Sequence, residues 1–267
     1  MTATVMSQSE FESVLARIEE KLRQANQEGR QVVSTVRRWA NLLGPFADDL
    51  DAILDWIVDL LVKIGRTIFE FITQPGVPWT LWNHGNDWSG APIAGRISAQ
   101  IAKSTLDQTR VDDFWQGPAA DAYKNTLPRQ KEALAKLVAY TKTIDDVLTQ
   151  MAIAIGAFWL AILTGIIALV VELMGAGAAA STGVGAPPAA AGAAVSLVKF
   201  LGIVSASLDV FYVFVMANTL PAIKDLHQDV NDASAFPDGQ WPHPSIDLAD
   251  ASLSDGDPTD WHLRTNS

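Results

Sequence analysis

Apolar residues recur along the first forty positions in alternating steps of four and three: Phe11, Leu15, Ile18, Leu22, Ala25, Gly29, Val32, Val36, Trp39 and Leu43. That spacing draws a single stripe down an α-helix, the seam of a helix that lies along a partner. Ala25 and Gly29 place the smallest side chains at the middle of the seam, so the closest helix pairing is expected there. Ser7 and Glu10 form a capping box at its start, and Gly44 and Pro45 end it. A second stripe, Leu50, Ile53, Leu54, Ile57, Leu61, Ile64, Ile68 and Ile72, predicts another amphipathic helix. Asp48, Asp49 and Asp51 at its start, with Lys63 and Arg66 further on, follow the helix dipole. The acidic polar face suits a core-facing bundle helix better than one resting on anionic lipid.

Residues 74–91 break the pattern with Pro75, Gly76, Pro78, Gly85 and Gly90 and read as a linker. Pro92 then opens a third helix with Ile93, Ile97 and Ile101 on one face. This helix is expected to run through Asp112 and Asp113 into a corner at Trp115-Gln116-Gly117-Pro118. Gly117 permits the turn, Pro118 sets the φ of a new first turn, and Asp121 favours that helix's positive end. Beyond it, Ala119, Ala122, Tyr123, Leu127, Leu134, Leu137, Val138, Ile144, Leu148 and Met151 keep helical spacing.

Trp115-x-Gly117-x-Ala119-Ala120-x-Ala122-Tyr123, followed by Leu127, Gln130, Ala133 and Leu134, resembles the WxG family of type VII secretion substrates. The resemblance covers residues 92–150. It implies an antiparallel helical hairpin with Trp-x-Gly at the bend, dimerisation or another protein partner, and export in actinobacteria and related Gram-positive bacteria. A second Trp-x-Gly, Trp88-Ser89-Gly90, lacks the downstream pattern. The family's export signal is a Tyr with an acidic residue four positions on. The residues four beyond Tyr123, Tyr140 and Tyr212 are Leu127, Ile144 and Met216. Typical members also end with the hairpin, so the resemblance speaks for the fold and leaves export without its signal.

Charge then thins out. Across residues 152–223 the charged side chains are Glu172, Lys199 and Asp209 alone. Residues 152–171 form a run long enough to cross hydrocarbon, with Thr164 as its polar side chain. Its Ile, Leu, Phe and Val residues favour insertion by roughly 3–6 kcal/mol. Residues 195–218 form a second run, in which Asp209 near the centre costs about 2.5–3.5 kcal/mol. The two spans are expected to pair as a transmembrane hairpin, with Asp209 and Thr164 as its intramembrane polar residues. Its Gly/Ala-rich connector, 175–194, would lie outside. Arg129, Lys131, Lys136 and Lys142 before it and Lys224 after it place both ends in the cytoplasm.

Composition closes off much of the remaining chemistry. A net charge of −11 argues against a nucleic-acid partner. The absence of cysteine removes disulfides, thiolate metal sites and cysteine nucleophiles. His84, His227, His243 and His262 have no metal-ligand spacing, and neither a phosphate loop nor a nucleophile elbow occurs. No metal, cofactor or catalytic residue is therefore expected, and the protein reads as a non-enzyme. The first thirteen residues carry no basic or apolar leader, so no Sec-type signal peptide is expected. Residues 231–267 hold seven Asp and four Pro and read as a disordered acidic tail.

The expectation is an all-α protein: an N-terminal helical region (1–73), a linker (74–91), a WxG-like helical hairpin (92–150), an apolar transmembrane hairpin (151–223) and the tail (231–267). Its expected role is a membrane-anchored interaction protein of the cell membrane associated with type VII secretion, with a protein partner or homo-oligomer. The alternatives are an exported effector whose apolar hairpin enters a target membrane, and a soluble helical secretion substrate.

Overall fold

Ser7 opens the first helix as its sequence requires. Its backbone N–H donates to Glu10 Oε2 at 2.8 Å, and its Oγ accepts from the Glu10 N–H at 3.4 Å. The Ser7 hydroxyl, donating to Glu10 Oε2 at 2.6 Å, and then the Ser7 backbone N–H hold the Glu10 carboxyl below the usual carboxylate range. The computed structural model describes residues 5–40, 47–244 and 262–263. Leu43, Gly44 and Pro45, named above as the end of the first helix, lie outside the described residues.

The helices are α1 (Gln8–Ala40), α2 (Ala47–Thr73), α3 (Pro78–Ser89), α4 (Arg96–Lys103), α5 (Leu106–Thr109), α6 (Val111–Phe114), α7 (Pro118–Ala180), α8 (Ala186–Phe214) and α9 (Leu220–Val230). π-helical turns at Ala91–Gly95 and Val215–Thr219 lead into α4 and α9. The strands β1 (Trp115–Gln116) and β2 (His262–Leu263) pair antiparallel, Trp115 opposite Leu263.

The chain divides into two units. Unit 1 comprises Met1–Thr80 and Met151–Met216. Here α1, α2, α8 and the second half of α7 share a core in which Phe11, Ile18, Leu54, Ile64, Ile166 and Leu197 are buried. α1 carries its charged residues on the opposite face, where Glu12, Glu19, Arg23 and Arg30 are exposed. Arg37 pairs with Asp55 and lies 3.8 Å from Asp51, tying α1 to α2 at the surface.

Unit 2 comprises Leu81–Gln150 and Ala217–Ser267. Its buried positions include Ala94, Val111, Ala120, Leu127, Ala133 and Tyr140. Residues 231–244 lie against α7 in unit 2. Tyr140 Oη donates to the Asp229 carbonyl at 2.6 Å, Gln130 Nε2 donates to the Pro242 carbonyl at 2.9 Å, and Ala235 is buried. Lys136 reaches Asp232 at 2.7 Å. This pairing raises the Lys136 pKa. Lys136 and Ser234 together hold the Asp232 carboxyl well below the usual range. The segment lacks an apolar stripe, and its polar contacts with α7 act together with the burial of Ala235 and Pro242.

Three expectations change. The linker at 74–91 contains a helix, α3: Pro78 suits its first turn, and Gly85 comes so close to α7 that a β-carbon there would lie 2.5 Å from Asp145 Oδ1. The third helix is cut into α4, α5 and α6. Thr105, extended at φ −123° and ψ 155°, accepts from the Gln108 N–H at 3.3 Å and starts a new turn, and Arg110 at φ 53° ends it. The connector at 175–194 shrinks to residues 181–185. Alanine is the best helix former, and the prolines after Ala186 fall within the first turn of α8.

Candidate functional site

The apolar hairpin is built from residues 151–180 of α7 and from α8. Its first arm turns Trp159, Ile162, Ile166, Leu169 and Leu173 into the core of unit 1. Its outer side is apolar as well, with Leu160, Val171 and Met174 exposed. The second arm changes character along its length. From Ala186 to Val204 it buries Ala189, Ala193, Leu197, Phe200 and Val204. From Ser205 to Met216 no residue is buried, although Leu208, Val210, Phe211, Tyr212, Val213, Phe214, Val215 and Met216 fall there. Val210, Tyr212 and Val213 are 71%, 62% and 61% exposed.

Both helices are long and apolar enough to cross a membrane. The most apolar 18-residue window of α7 has a mean hydropathy of 2.5 with 44% of it buried; that of α8 and its continuation has 2.0 with 11% buried. The second value is far from that of a core helix, which hides most of such a window.

Two of the three charges in this region meet across the arms: Lys199 Nζ lies 3.7 Å from Glu172 Oε1. Asp209 is exposed on α8, on the stripe that continues through Val195, Val198, Gly202 and Ser205, and no hydrogen bond or ion pair to it is present among the described residues. Thr164 is also exposed, and its hydroxyl donates to the Leu160 carbonyl of its own helix at 2.8 Å. The structure therefore does not bring Asp209 and Thr164 together. Each sits on an outward face.

The arms are fastened by aromatic rings. Trp159 is 1% exposed, its indole N–H donates to the Pro75 carbonyl at 2.8 Å, and Phe11 and Phe158 stack edge-on against it. Phe158 also meets Phe71 and Phe211. Beside this cluster lies a half-open cavity of about 240 Å³ lined by Phe71, Ile155, Phe158, Leu208 and Phe211, and no ionisable side chain lines it. It offers apolar contact and no means of moving a proton. The sequence signal for Trp159 was its place in an apolar run, which does not distinguish a lipid-facing indole from a buried one.

At the seam of α1, Ala25 is buried and Gly29 faces α2 so closely that a β-carbon would lie 2.6 Å from Leu61 Cδ1. In unit 2, Trp115 is half-buried in β1, with its ring 6.0 Å from that of Tyr123. Gly117 has φ 107°, a conformation side chains avoid, and α7 begins at the next residue. Lys124 joins Asp112 at 2.9 Å and Asp121 at 3.0 Å across this turn, and both carboxylates raise its pKa. Trp88 is 38% exposed. Among the described residues no His, Asp and Glu cluster could hold a metal ion. No protein-family model, characterised protein or solved structure matches the chain.

Proposed function

We propose that this chain is a non-enzymatic WxG-like interaction protein, anchored in the cell membrane by the α7–α8 hairpin and associated with type VII secretion. The stretch from Ser205 to Met216, in which no residue is buried and Val210, Tyr212 and Val213 are exposed, carries the membrane part of this reading. Left in water, Val210, Tyr212, Val213 and Met216 forfeit roughly 25 cal/mol for every Å² of apolar surface, and hydrocarbon recovers it. The Glu172–Lys199 contact supports the same reading, since an ion pair enters lipid at lower cost than two separate charges. The secretion part rests on the resemblance around Trp115, Gly117 and Tyr123.

Fractionation of producing cells into cytosol, carbonate-washed membrane and medium tests it, with Val210→Lys/Val213→Lys beside the wild type. Both sites are exposed, so the fold tolerates the change. Wild type is expected in the washed membrane and the variant in the cytosol with its helicity intact. A wild type that is a detergent-free cytosolic monomer contradicts the reading. Recovery from the medium would favour the second reading, an exported effector. One observation favours that alternative: α1 and α2 cover the inner side of the hairpin and turn charged faces outward, a form suited to travel through water.

A further inference from the structure

Along its first arm the hairpin has α1 for a neighbour over nearly the whole length. A β-carbon placed on Gly156 would lie 3.8 Å from Met6 Cβ, one on Gly177 3.8 Å from Val32 Cγ2, and one on Gly183 3.2 Å from the Trp39 ring. From residue 6 to residue 39, α1 and the turn before it thus keep pace with the arm from Gly156 to its tip. The far side of α1 is studded with charge, including Glu12, Arg17, Glu19, Glu20, Arg23 and Arg30. Any passage of the arm through hydrocarbon with α1 attached would drag those side chains through it, which lipid does not accommodate. The fold described above and a spanning hairpin are therefore two different states.

We propose that the described fold is the water-side state, in which α1 and α2 form a releasable cover, and that the hairpin enters a bilayer by exchanging this cover for lipid. The inference rests on the membrane reading above and adds how entry is controlled. The kinds of contact on each side support it. α1 and α2 hold one another through Arg37 with Asp55 and through the close fit of Gly29 on Leu61. Their hold on the hairpin is mainly apolar packing, with a polar contact at Gln24 to Met174 Sδ (3.9 Å), and the turn after α2 adds the Trp159 bond to the Pro75 carbonyl. Apolar packing is non-directional, and acyl chains can replace it; the ion pairs of Arg37 with Asp55 and Asp51 and the fit of Gly29 on Leu61 lie between the two helices and need not open when the hairpin leaves. The two helices should leave as a pair.

The chain has no cysteine, so disulfide locks can be placed on an unmodified background. Met6→Cys/Gly156→Cys has the Cβ separation of an ordinary disulfide, about 3.8 Å; Val32→Cys/Gly177→Cys, where Val32 Cγ2 lies 3.8 Å from a β-carbon at 177, is a second pair whose closure is checked by the loss of free thiol. Gly29→Cys/Leu61→Cys ties α1 to α2 without touching the hairpin. The readout is the carbonate-resistant fraction on vesicles of phosphatidylcholine and phosphatidylglycerol, with and without reductant. Both oxidised locks should lose that fraction several-fold and regain it on reduction, while the α1–α2 lock should insert like wild type. Oxidised locks that insert as fully as wild type would overturn the cover and leave the membrane reading standing. Wild type that floats with vesicles but is stripped by carbonate would also overturn it, leaving surface association. Wild type that never binds vesicles defeats both.

Discussion

Tryptophan is spread along the whole chain, and each ring's surroundings set what it contributes. Trp159 is fully enclosed and hydrogen-bonded, so Trp159→Ala should destabilise unit 1 by about 3–5 kcal/mol. Trp159→Phe keeps most of the packing and strands the Pro75 carbonyl, for a loss of about 1–2 kcal/mol. Trp115 is half-buried against Tyr123, and its removal should cost about 1–2 kcal/mol in unit 2. Trp88 is exposed, and Trp88→Ala should cost no more than about 0.5 kcal/mol. Urea unfolding followed by far-ultraviolet circular dichroism ranks the four variants; equal losses at Trp115 and Trp88 would remove any special status for the first Trp-x-Gly. Gly29 offers a second measure. Gly29→Val should cost about 1–3 kcal/mol through overlap with Leu61, and markedly less when Leu61 is first cut to Ala.

At the scale of elements, the docking of residues 231–244 on α7 depends on pH in a definite direction. Asp232 has its pKa depressed in the folded state, so its contribution is complete above the ordinary carboxylate range and is lost as pH falls through that range. Lys136 has its pKa raised, so its contribution is complete below the ordinary lysine value and fades as pH climbs past it. The segment should stay docked across neutral pH and loosen at the acid and alkaline extremes. Lys136→Met should loosen it already at neutral pH, and limited proteolysis within 231–244 should then run several-fold faster; an unchanged cleavage rate would contradict the docking. No amphipathic stripe announces this segment, because what holds it is the Lys136–Asp232 ion pair, the Pro242 carbonyl reached from Gln130 and the burial of Ala235 and Pro242, with Tyr140 bonded to the Asp229 carbonyl of α9 just before it. The elements that were legible owe their formation to their own periodicity: the seam of α1, the stripe of α2 and the two apolar runs. Those that were not owe theirs to neighbours. α3 brings Gly85 close against Asp145 of α7, and the breaks around Thr105 and Arg110 follow from local hydrogen bonds that compete with the helix.

For the whole molecule, the two apolar runs were legible from composition, while the direction each face points was not. Asp209 and Thr164 illustrate the gap: the sequence places both in apolar runs, and the structure turns both outward. Spacing alone could not tell that α8 buries residues in its alanine-rich half and buries none from Ser205 onward, where most of its apolar residues are exposed. That exposed half is the ground for a membrane anchor, and hydrogen–deuterium exchange with and without phospholipid vesicles examines it directly. A hairpin that enters lipid predicts strongly slowed exchange across 205–216 and 152–171 when vesicles are added, with faster exchange in α1. Exchange across 205–216 that is identical in the two conditions would contradict the membrane anchor outright.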